Sequence, residues 1–263
     1  MSTHWPRPLV AALDVLNRRG KAVAVRLVKY TGKSPDFIHP KHLVNAPWHE
    51  WYVEHLSPAD VVLDVGCANG AHTLKAAARC KRIVGFDYDV KQLSVARRTA
   101  HAQGLGNVHF FAWDVTRLFP FPDKTFDAAL FLDVIEHLVP RVTVLREIHR
   151  VLKDNGRLMV SGPNRETSWR RRLRETGLFA FSDPDHKVEY RSAEFVAELA
   201  AGGFRVEGKL MPVVYDTPWA GLIDALGGLS LGLYARLARW KREAALRRPE
   251  ESTGFRVVAR RSA

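Results

Sequence analysis

The sequence has few cysteines, no long apolar run and a shortage of acidic residues. Cys67 and Cys80 are its two cysteines, so no disulfide framework is expected and a reducing compartment is indicated. The amino-terminal apolar stretch is short and interrupted by Asp14, which argues against a signal peptide or membrane span there. Internal repeats and low-complexity tracts are absent. With 46% hydrophobic residues over 263 positions, one large domain with additions is expected, located in the cytoplasm.

The shortage of acidic residues is uneven along the chain. There are 40 Lys and Arg against 28 Asp and Glu, a net charge of +12, of which residues 1–45 carry +6, residues 46–164 +1 and residues 165–263 +5. The positive ends predict an anionic ligand or surface, although a charge run is equally typical of a solvated face. The densest cluster consists of Arg165, Arg170, Arg171, Arg172 and Arg174.

Short apolar runs alternate with amphipathic segments through the middle of the chain. Such alternation predicts an α/β fold with a doubly wound, mostly parallel sheet. The expected strands are the runs at 61–65, 83–86, 108–112, 128–132 and 157–161.

Two helices are indicated by their spacing and end signals. The first has Leu145, Ile148, Val151 and Leu152 at helical spacing, with Lys153 at its carboxyl end and Gly156 as its stop. The second is expected to begin at a cap provided by Ser192 and to end at the glycine pair 202–203.

The first apolar run leads into a loop of small residues. Its β-branched composition suits a buried parallel strand, and glycines in the loop let the backbone turn sharply and lie against a ligand. The segment after the loop has helical composition, so free backbone N–H groups point at whatever binds there. A dinucleotide fingerprint needs three glycines at positions occupied by Gly66, Ala68 and Ala71, and two of them are missing. Asp64 also repels a pyrophosphate and suits a cationic amino acid.

A second acidic residue ends the next apolar run. Asp87 lies 23 positions after Asp64, where a carboxylate can accept both hydroxyls of a ribose. With these motifs in this order, the chain resembles the class I S-adenosylmethionine-dependent methyltransferases, in their ubiquinone-biosynthesis-like small-molecule branch. The resemblance covers roughly residues 55–210 and a last strand near 253–260. It implies a seven-stranded, Rossmann-like sheet with a helical amino-terminal extension and a helical insertion before the last strand.

The resemblance implies that four motif segments hold S-adenosylmethionine. LDVGCANG would lie near the methionine end of the cofactor, although Ala68 departs from the commonest glycine. GFDYD places Asp87 on the ribose, and FAWDV places Asp114 at the adenine amino group, with the Val115 backbone N–H at the ring. LFLDVIEHL would lie beside the sulfonium. The implied cofactor residues are Asp64, Gly66, Cys67, Ala68, Gly70, Asp87, Tyr88, Asp114, Val115 and Asp133.

Candidate catalytic residues lie in the fourth motif and after the fifth strand. Methyl transfer is an in-line displacement, so catalysis needs a positioned nucleophile and a base wherever that nucleophile starts protonated. If the chain turns helical after the fourth strand, Asp133, Glu136 and His137 share one face. His137 is then the expected base, Glu136 orients it or the substrate, and His186 lies within reach.

The same side chains suggest an alternative role. Asp133, Glu136, His137 and His186 resemble a divalent-metal set, similar to the E-x-x-E-H motif of the small-RNA 3′-end 2′-O-methyltransferases, with Asp133 in place of the first glutamate. The prediction assigns no metal ligand and keeps a divalent metal as the alternative. Otherwise these residues are base and substrate contacts, or His186 caps a loop.

Three regions are expected along the chain. Residues 1–50 form a helical extension, residues 51–212 and 253–263 the cofactor-binding core, and residues 213–252 a helical insertion. The insertion has no charge from 225 to 235 and a basic flank after it. It is interpreted as a lid, as a segment lying on a membrane surface, or as helices packed on the sheet.

The predicted function is methyl transfer from S-adenosylmethionine, with oxygen as the expected site on the acceptor. The acceptor is expected to be a small-molecule or lipid- or glycan-linked anion, and the protein cytoplasmic or peripheral at the membrane. An RNA methyltransferase is the alternative that the +12 charge and the metal-like set favour, although no nucleic-acid module is recognisable. A non-catalytic binding protein of the same fold is the third.

Overall fold

The computed structural model describes residues 5–44 and 46–262. The α-helices of this part are α1 (Arg7–Tyr30), α2 (Ala71–Ala77), α3 (Val90–Ala102), α4 (Arg141–Val151), α5 (Ser168–Glu175), α6 (Ser192–Ala201), α7 (Ala220–Leu229) and α8 (Leu231–Arg247). The strands are β1 (Val61–Val65), β2 (Arg82–Asp87), β3 (Val108–Ala112), β4 (Phe126–Phe131), β5 (Leu152–Pro163), β6 (Phe204–Pro212) and β7 (Gly254–Arg261). Short 3₁₀ helices cover Pro40–His42, Pro47–His55, Ile135–His137 and Pro249–Glu251.

The seven strands form one sheet in the order β3-β2-β1-β4-β5-β7-β6. The pairs β1–β2, β2–β3, β1–β4 and β4–β5 are all parallel. Strand order reverses between β1 and β4, and in such sheets a ligand crevice opens at the carboxyl ends of the strands beside the reversal. The predicted doubly wound, mostly parallel sheet is therefore confirmed.

Contacts divide the chain into two units, each made of three stretches. The first, called here the helical unit, consists of residues 1–49, 164–182 and 212–254. The second, called here the sheet unit, consists of residues 50–163, 183–211 and 255–263. The sequence-based division assigned 164–182 to the cofactor core, whereas its contacts group it with the extension and the insertion.

Both faces of the sheet are buried within the sheet unit. Along β1, Leu63 and Val65 belong to one apolar cluster, whereas Val62 belongs to the cluster on the opposite face. β4 alternates in the same way, with Phe131 in the first cluster and Leu130 in the second. Side chains of a strand alternate between its faces, so continuous apolar runs are what a sheet covered on both sides requires.

Two predicted helix ends are wrong by a few residues. α4 buries Leu145, Ile148 and Val151 as expected, but Leu152 already begins β5 and pairs with Phe126. Lys153 and Gly156 therefore lie in the strand and do not end the helix. α6 begins at Ser192 itself, and its N-cap is Arg191, whose backbone N–H donates to the side chain of Glu194.

Within the helical unit, α1 packs closely against α7. A Cβ atom on Gly221 would lie 2.5 Å from Cα of Asn17, and one on Gly20 would lie 2.2 Å from the carbonyl oxygen of Gly221. The backbone N–H of Gly221 donates to Oδ1 of Asn17 at 2.8 Å. Glycine is thus required on both helices for this approach. In the part of the chain that the structure describes, every helix is too short or too polar to cross a bilayer.

The arginine cluster of α5 is largely engaged inside the helical unit. Arg170 lies 3.2 Å from the buried carboxylate of Asp216. Arg165 and Arg174 both lie near Glu166, at 3.6 and 3.5 Å. These three arginines therefore stabilise local structure, a role that the charge of the cluster alone does not indicate.

Candidate active site

The loop after β1 takes a backbone conformation that favours glycine. Gly66 and Gly70 have φ of 74° and 75°, and Ala68 has a φ of 45°, which is uncommon for a residue with a Cβ. A Cβ on Gly66 would lie 2.8 Å from Cγ2 of Val134. The predicted cofactor loop therefore contacts the chain segment that leads to Glu136 and His137. Cys67, in the same loop, is buried, and burial raises the pKa of its thiol.

Asp64 is buried at the end of β1, directly beneath this loop. Its carboxyl accepts a hydrogen bond from the hydroxyl of Thr73 at 2.5 Å. Burial raises the pKa of Asp64 to about 7; the Thr73 bond opposes the shift and the nearby charge of Asp87 adds to it. A carboxyl that resists ionisation in this way gains from a cation beside it. Its position thus fits the predicted amino group of the cofactor.

Asp87 ends β2 with its carboxylate oriented by two backbone groups. One oxygen accepts the N–H of Ala68 and the other the N–H of Asp89, both at 2.9 Å. Each carboxylate oxygen has a second lone pair, so both can still accept from hydroxyl groups. The arrangement fits the predicted ribose contact. The neighbouring Tyr88 is 79% exposed, so packing does not fix its ring.

The third predicted segment follows β3. Asp114 is exposed, and the backbone N–H and hydroxyl of Thr116 donate to its carboxylate and hold its pKa below the usual range. The side chain of Val115 is buried in the core. Among the described residues nothing accepts a hydrogen bond from the Val115 backbone N–H, which is the group predicted to face the adenine ring.

The predicted helical face formed by Asp133, Glu136 and His137 is wrong. After β4 the chain makes a single 3₁₀ turn over Ile135–His137, and Asp133 has a φ of 57°. Its N–H donates to the hydroxyl of Ser161 at 2.9 Å, and that hydroxyl donates to its carboxylate at 2.7 Å. Asp133 is therefore directed to the end of β5. Ser161 was not identified from the sequence, since only the pairing of β4 with β5 brings it here.

Glu136, His137 and His186 come together as expected. One possible ligand atom from each lies within 4.8 Å of the others. The two imidazole rings are 4.8 Å apart and nearly perpendicular, and Nε2 of His186 lies 4.0 Å from Oε1 of Glu136. The backbone fixes this approach, because the N–H groups of Lys187 and Val188 point to the Glu136 carbonyl at 2.7 and 3.3 Å. Their catalytic roles remain predictions.

Glu189 is a site residue that sequence reasoning missed. It is 1% exposed, and its carboxylate lies 2.9 Å from Nδ1 of His186. A carboxylate at this distance accepts the Nδ1 proton of the ring and so orients it, with Nε2 on the side of Glu136. In the sequence, the three-residue spacing between His186 and Glu189 was the available indication that the two side chains interact. That spacing is common, and the burial of Glu189 is what identifies the interaction as part of the site.

His137 lies at the exposed side of the cluster. Burial of its ring lowers its pKa, and the neighbouring His186 lowers it further, whereas Asp183 and Asp185 act in the opposite direction. At pH 7 its imidazole is therefore neutral and able to accept a proton.

The four-residue metal set is not formed. Asp133 is bonded to Ser161, so the described residues bring together three potential ligands, a carboxylate and two imidazoles. Such mixed oxygen and nitrogen donors suit several divalent ions, so the three residues remain chemically able to hold one.

Comparison with known proteins agrees with the fold and the motifs. Residues 63–160 match the family model described as a methyltransferase domain. A probable S-adenosylmethionine-dependent methyltransferase of Mycolicibacterium smegmatis is 34% identical over 149 residues, which are 57% of this chain and 53% of that protein. The 27-O-demethylrifamycin SV methyltransferase of Amycolatopsis mediterranei is 30% identical over 155 residues, 55% of this chain and 57% of that protein. The chain thus spans about half the length of these curated relatives.

Solved structures share the fold over a larger part of the chain. The cyclase SpnF superposes with a TM-score of 0.60 and 23% identity, covering 82% of this chain and 81% of that protein. A methyltransferase from Aquifex aeolicus, named as dependent on S-adenosylmethionine, has a TM-score of 0.55 and 18% identity and covers 84% and 96%. At these identities the likeness concerns the fold alone.

Proposed function

We propose that this chain is a class I S-adenosylmethionine-dependent methyltransferase and that it methylates an oxygen of a small-molecule or lipid- or glycan-linked anionic acceptor. The observation that carries the proposal is the cluster of Glu136, His137, His186 and Glu189, which follows directly on Val134, the residue that lies against Gly66 of the cofactor loop. A hydroxyl acceptor starts protonated, so it needs a base close to the point of methyl transfer. The cluster provides one.

The cofactor residues each have a defined task in this proposal. When bound, S-adenosylmethionine supplies an electrophilic methyl group on a sulfonium centre. Asp64 would face its amino group, Asp87 its ribose hydroxyls, and the Val115 N–H its adenine ring. The Gly66–Gly70 loop offers its backbone where side chains would collide. These contacts hold the reacting centre in place, which is the main work in an in-line displacement.

The proton of the acceptor is taken up by an imidazole. Glu189 keeps the His186 ring proton on Nδ1, so Nε2 is the basic atom. Glu136 lies beside that atom and would stabilise the imidazolium that forms. His137, neutral at pH 7, is the second base within the cluster and reaches the exposed side. The name of the relative from Amycolatopsis mediterranei, 27-O-demethylrifamycin SV methyltransferase, specifies a demethylated oxygen of its substrate. This supports oxygen as the methyl acceptor.

The first experiment is calorimetry with S-adenosylmethionine. The wild-type protein is expected to bind, whereas Asp87→Ala is expected to bind at least tenfold more weakly, since it loses hydrogen bonds to a charged group worth about 1.5–3 kcal/mol. Glu207→Ala, at an exposed position of β6, is the matched control and should bind as the wild type does. If the wild-type protein does not bind S-adenosylmethionine, the proposal is refuted.

The second experiment follows labelled methyl groups into candidate acceptors, with magnesium or a chelator present. Hydroxylated small molecules, quinols and lipid-linked glycans are compared with RNA. Labelling of the first group supports the proposal, and labelling of RNA supports the alternative that the net charge favours. Loss of activity with the chelator would assign a metal to Glu136, His137 and His186. Cofactor binding without any methyl transfer would favour a non-catalytic binding protein.

A further inference from the structure

A basic cavity lies wholly within the helical unit. It has a volume of about 370 Å³ and is bounded by α1, by His39, Lys41 and His49, and by the segment that contains α7 and α8. Five of its lining residues are basic: Lys21, His39, Lys41, His49 and Lys241. Asp224 is the single acidic residue among the described residues that line it. None of these residues belongs to the methyltransferase site.

Asp224 and His39 form a pair that is internally satisfied. Nδ1 of His39 accepts the backbone N–H of Lys41 at 3.2 Å, so the ring proton lies on Nε2, which faces Asp224 at 3.4 Å. Burial acts to raise the pKa of Asp224, but the His39 hydrogen bond and the surrounding positive charges outweigh it and lower that pKa. One nitrogen of His39 is therefore engaged with Asp224 and the other with the Lys41 backbone, and the three lysines of the lining outnumber its single carboxylate.

Lys41 and Lys241 supply this excess charge. Both are partly buried, and in the described residues neither ammonium group makes an ion pair or a hydrogen bond. Lys21 points to the carbonyl of Ser182 at 3.4 Å. Three lysines against one aspartate give the lining a net charge of +2 when its two histidines are left out of the count. Partly buried ammonium groups attract anions more strongly than exposed ones, because water screens them less.

The size of the cavity and the chemistry of its lining indicate the chemical class of the ligand. Lysine ammonium groups are compact point charges that suit phosphate, and a doubly negative group matches the net charge of the lining. The cavity falls in the range of about 300–1,000 Å³ that holds organic ligands. Buried Ile223 and Tyr234 form an apolar part of its wall. We propose that this cavity binds an organic phosphate, with the phosphate on Lys41 and Lys241 and the organic part against Ile223 and Tyr234.

The distribution of charge over the chain supports this site independently. The helical unit has 19 Lys and Arg against 9 Asp and Glu, a net charge of +10. The sheet unit has 21 against 19, a net charge of +2. A field of one sign around a basic cavity draws anions toward it and raises their local concentration.

The test is calorimetry with phenyl phosphate, which joins a phosphate to an apolar ring. Lys41→Met and Lys241→Met keep the length of the side chain and remove its charge, and each is expected to weaken binding about 10- to 100-fold. Lys209→Met, at an exposed position of β6 in the sheet unit, is the matched control and should leave binding unchanged. Phenol, which lacks the phosphate, should not bind measurably. Equal affinity of all four proteins for phenyl phosphate, or no wild-type binding, would overturn the proposal.

A variant that removes a negative charge, in place of a positive one, tests whether misfolding explains a loss of binding in the lysine variants. Asp224→Asn removes the negative charge of the cavity and keeps its shape, so phenyl phosphate should bind at least as tightly as to the wild type. Binding lost in Asp224→Asn while its thermal melting is unchanged would contradict the proposal. All variants should retain affinity for S-adenosylmethionine, which separates this site from the methyltransferase site.

Two sources of the phosphate are distinguished with phosphatidylcholine vesicles that contain or lack phosphatidic acid. Co-sedimentation that needs phosphatidic acid, is competed by phenyl phosphate and falls in Lys41→Met assigns the site to a lipid headgroup. Lysine-dependent binding of phenyl phosphate without vesicle association assigns it to a soluble phosphate ester. Failure of both lysine variants to affect either ligand would refute both versions.

Discussion

At the scale of single residues, the two aspartates at the ends of β1 and β2 differ in their surroundings. Asp87 receives two backbone hydrogen bonds, whereas Asp64 is enclosed and has a raised pKa. The sequence predicted both positions, because a carboxylate at the end of a buried strand stands out from its apolar neighbours. It did not predict the difference in ionisation, which depends on how the loop covers Asp64.

The first residue-scale prediction concerns the pH dependence of stability. The folded pKa of Asp64, about 7, lies above its unfolded value, so its ionisation favours the unfolded chain as the pH rises from about 4 to 7. Asp64→Asn removes this effect and should gain roughly 2–4 kcal/mol of unfolding free energy relative to wild type between pH 4.5 and pH 8. Urea titrations at these pH values measure it. Glu175→Gln, an exposed control, should show no such trend, and a pH-independent difference for Asp64→Asn would contradict the argument.

The second residue-scale prediction concerns Glu189 and uses the acceptor found in the methylation screen. Glu189→Gln keeps the side-chain shape and removes the charge that holds the His186 proton on Nδ1. The turnover number should fall about 10- to 100-fold.

Two readouts separate this positioning role from a structural one. The affinity for S-adenosylmethionine and the KM of the acceptor should stay near their wild-type values. Glu207→Gln is the control at an exposed position. A variant that loses cofactor affinity in parallel with turnover, or whose turnover number equals that of the wild type, would speak against orientation of His186 by Glu189.

At the scale of elements, the strands and most helices could be predicted, whereas the turn after β4 could not. Apolar runs locate β1 to β5 because both faces of the sheet are covered. The segment Asp133 to His137 has a composition that suits a helix, yet Ser161 of the neighbouring strand binds Asp133 and bends the backbone. The junction at Leu152 was missed for a related reason, since pairing with Phe126 converts the end of a helical pattern into a strand.

The element-scale prediction concerns the approach of α1 to α7. A methyl group at Gly221 collides with the backbone of Asn17, so Gly221→Ala should destabilise the protein by about 1–3 kcal/mol. Gly232 in α8 has no atom within 4 Å of its Cβ position, and Gly232→Ala should be neutral or stabilising by up to about 1 kcal/mol. Scanning calorimetry measures both. Equal melting temperatures for the two variants would show that the close approach has no energetic role.

At the scale of the whole molecule, net charge distinguishes the two units more clearly than any sequence motif does. The sequence showed positive ends and a neutral middle, but it did not show that residues 164–182 group with those ends. Contacts between distant stretches decide that grouping, and they have no local signature. Peripheral membrane contact therefore remains a prediction that concerns the helical unit.

The whole-molecule prediction compares two sets of exposed arginines. Substituting Arg236, Arg239 and Arg247 of α8 together by Gln should reduce co-sedimentation with phosphatidylglycerol vesicles several-fold, because each basic residue near such a surface contributes about 1 kcal/mol. The matched triple substitution of Arg79, Arg82 and Arg205 in the sheet unit should have a smaller effect. Wild-type association should weaken between 50 and 300 mM salt, since added salt screens surface charge. Equal effects of the two triple variants would argue against a membrane-facing helical unit.

The alternation of the two units along the chain also affects how the protein folds as it is synthesised. The final strand, β7, lies inside the sheet between β5 and β6, yet it leaves the ribosome after the whole of α7 and α8. Until then β5 has an unpaired edge, and unpaired strand edges are prone to join other chains. Neither unit is contiguous, so neither can finish folding on a short nascent chain. Slow translation between residues 163 and 254 would therefore prolong the interval in which this edge is exposed to aggregation or to capture by a chaperone.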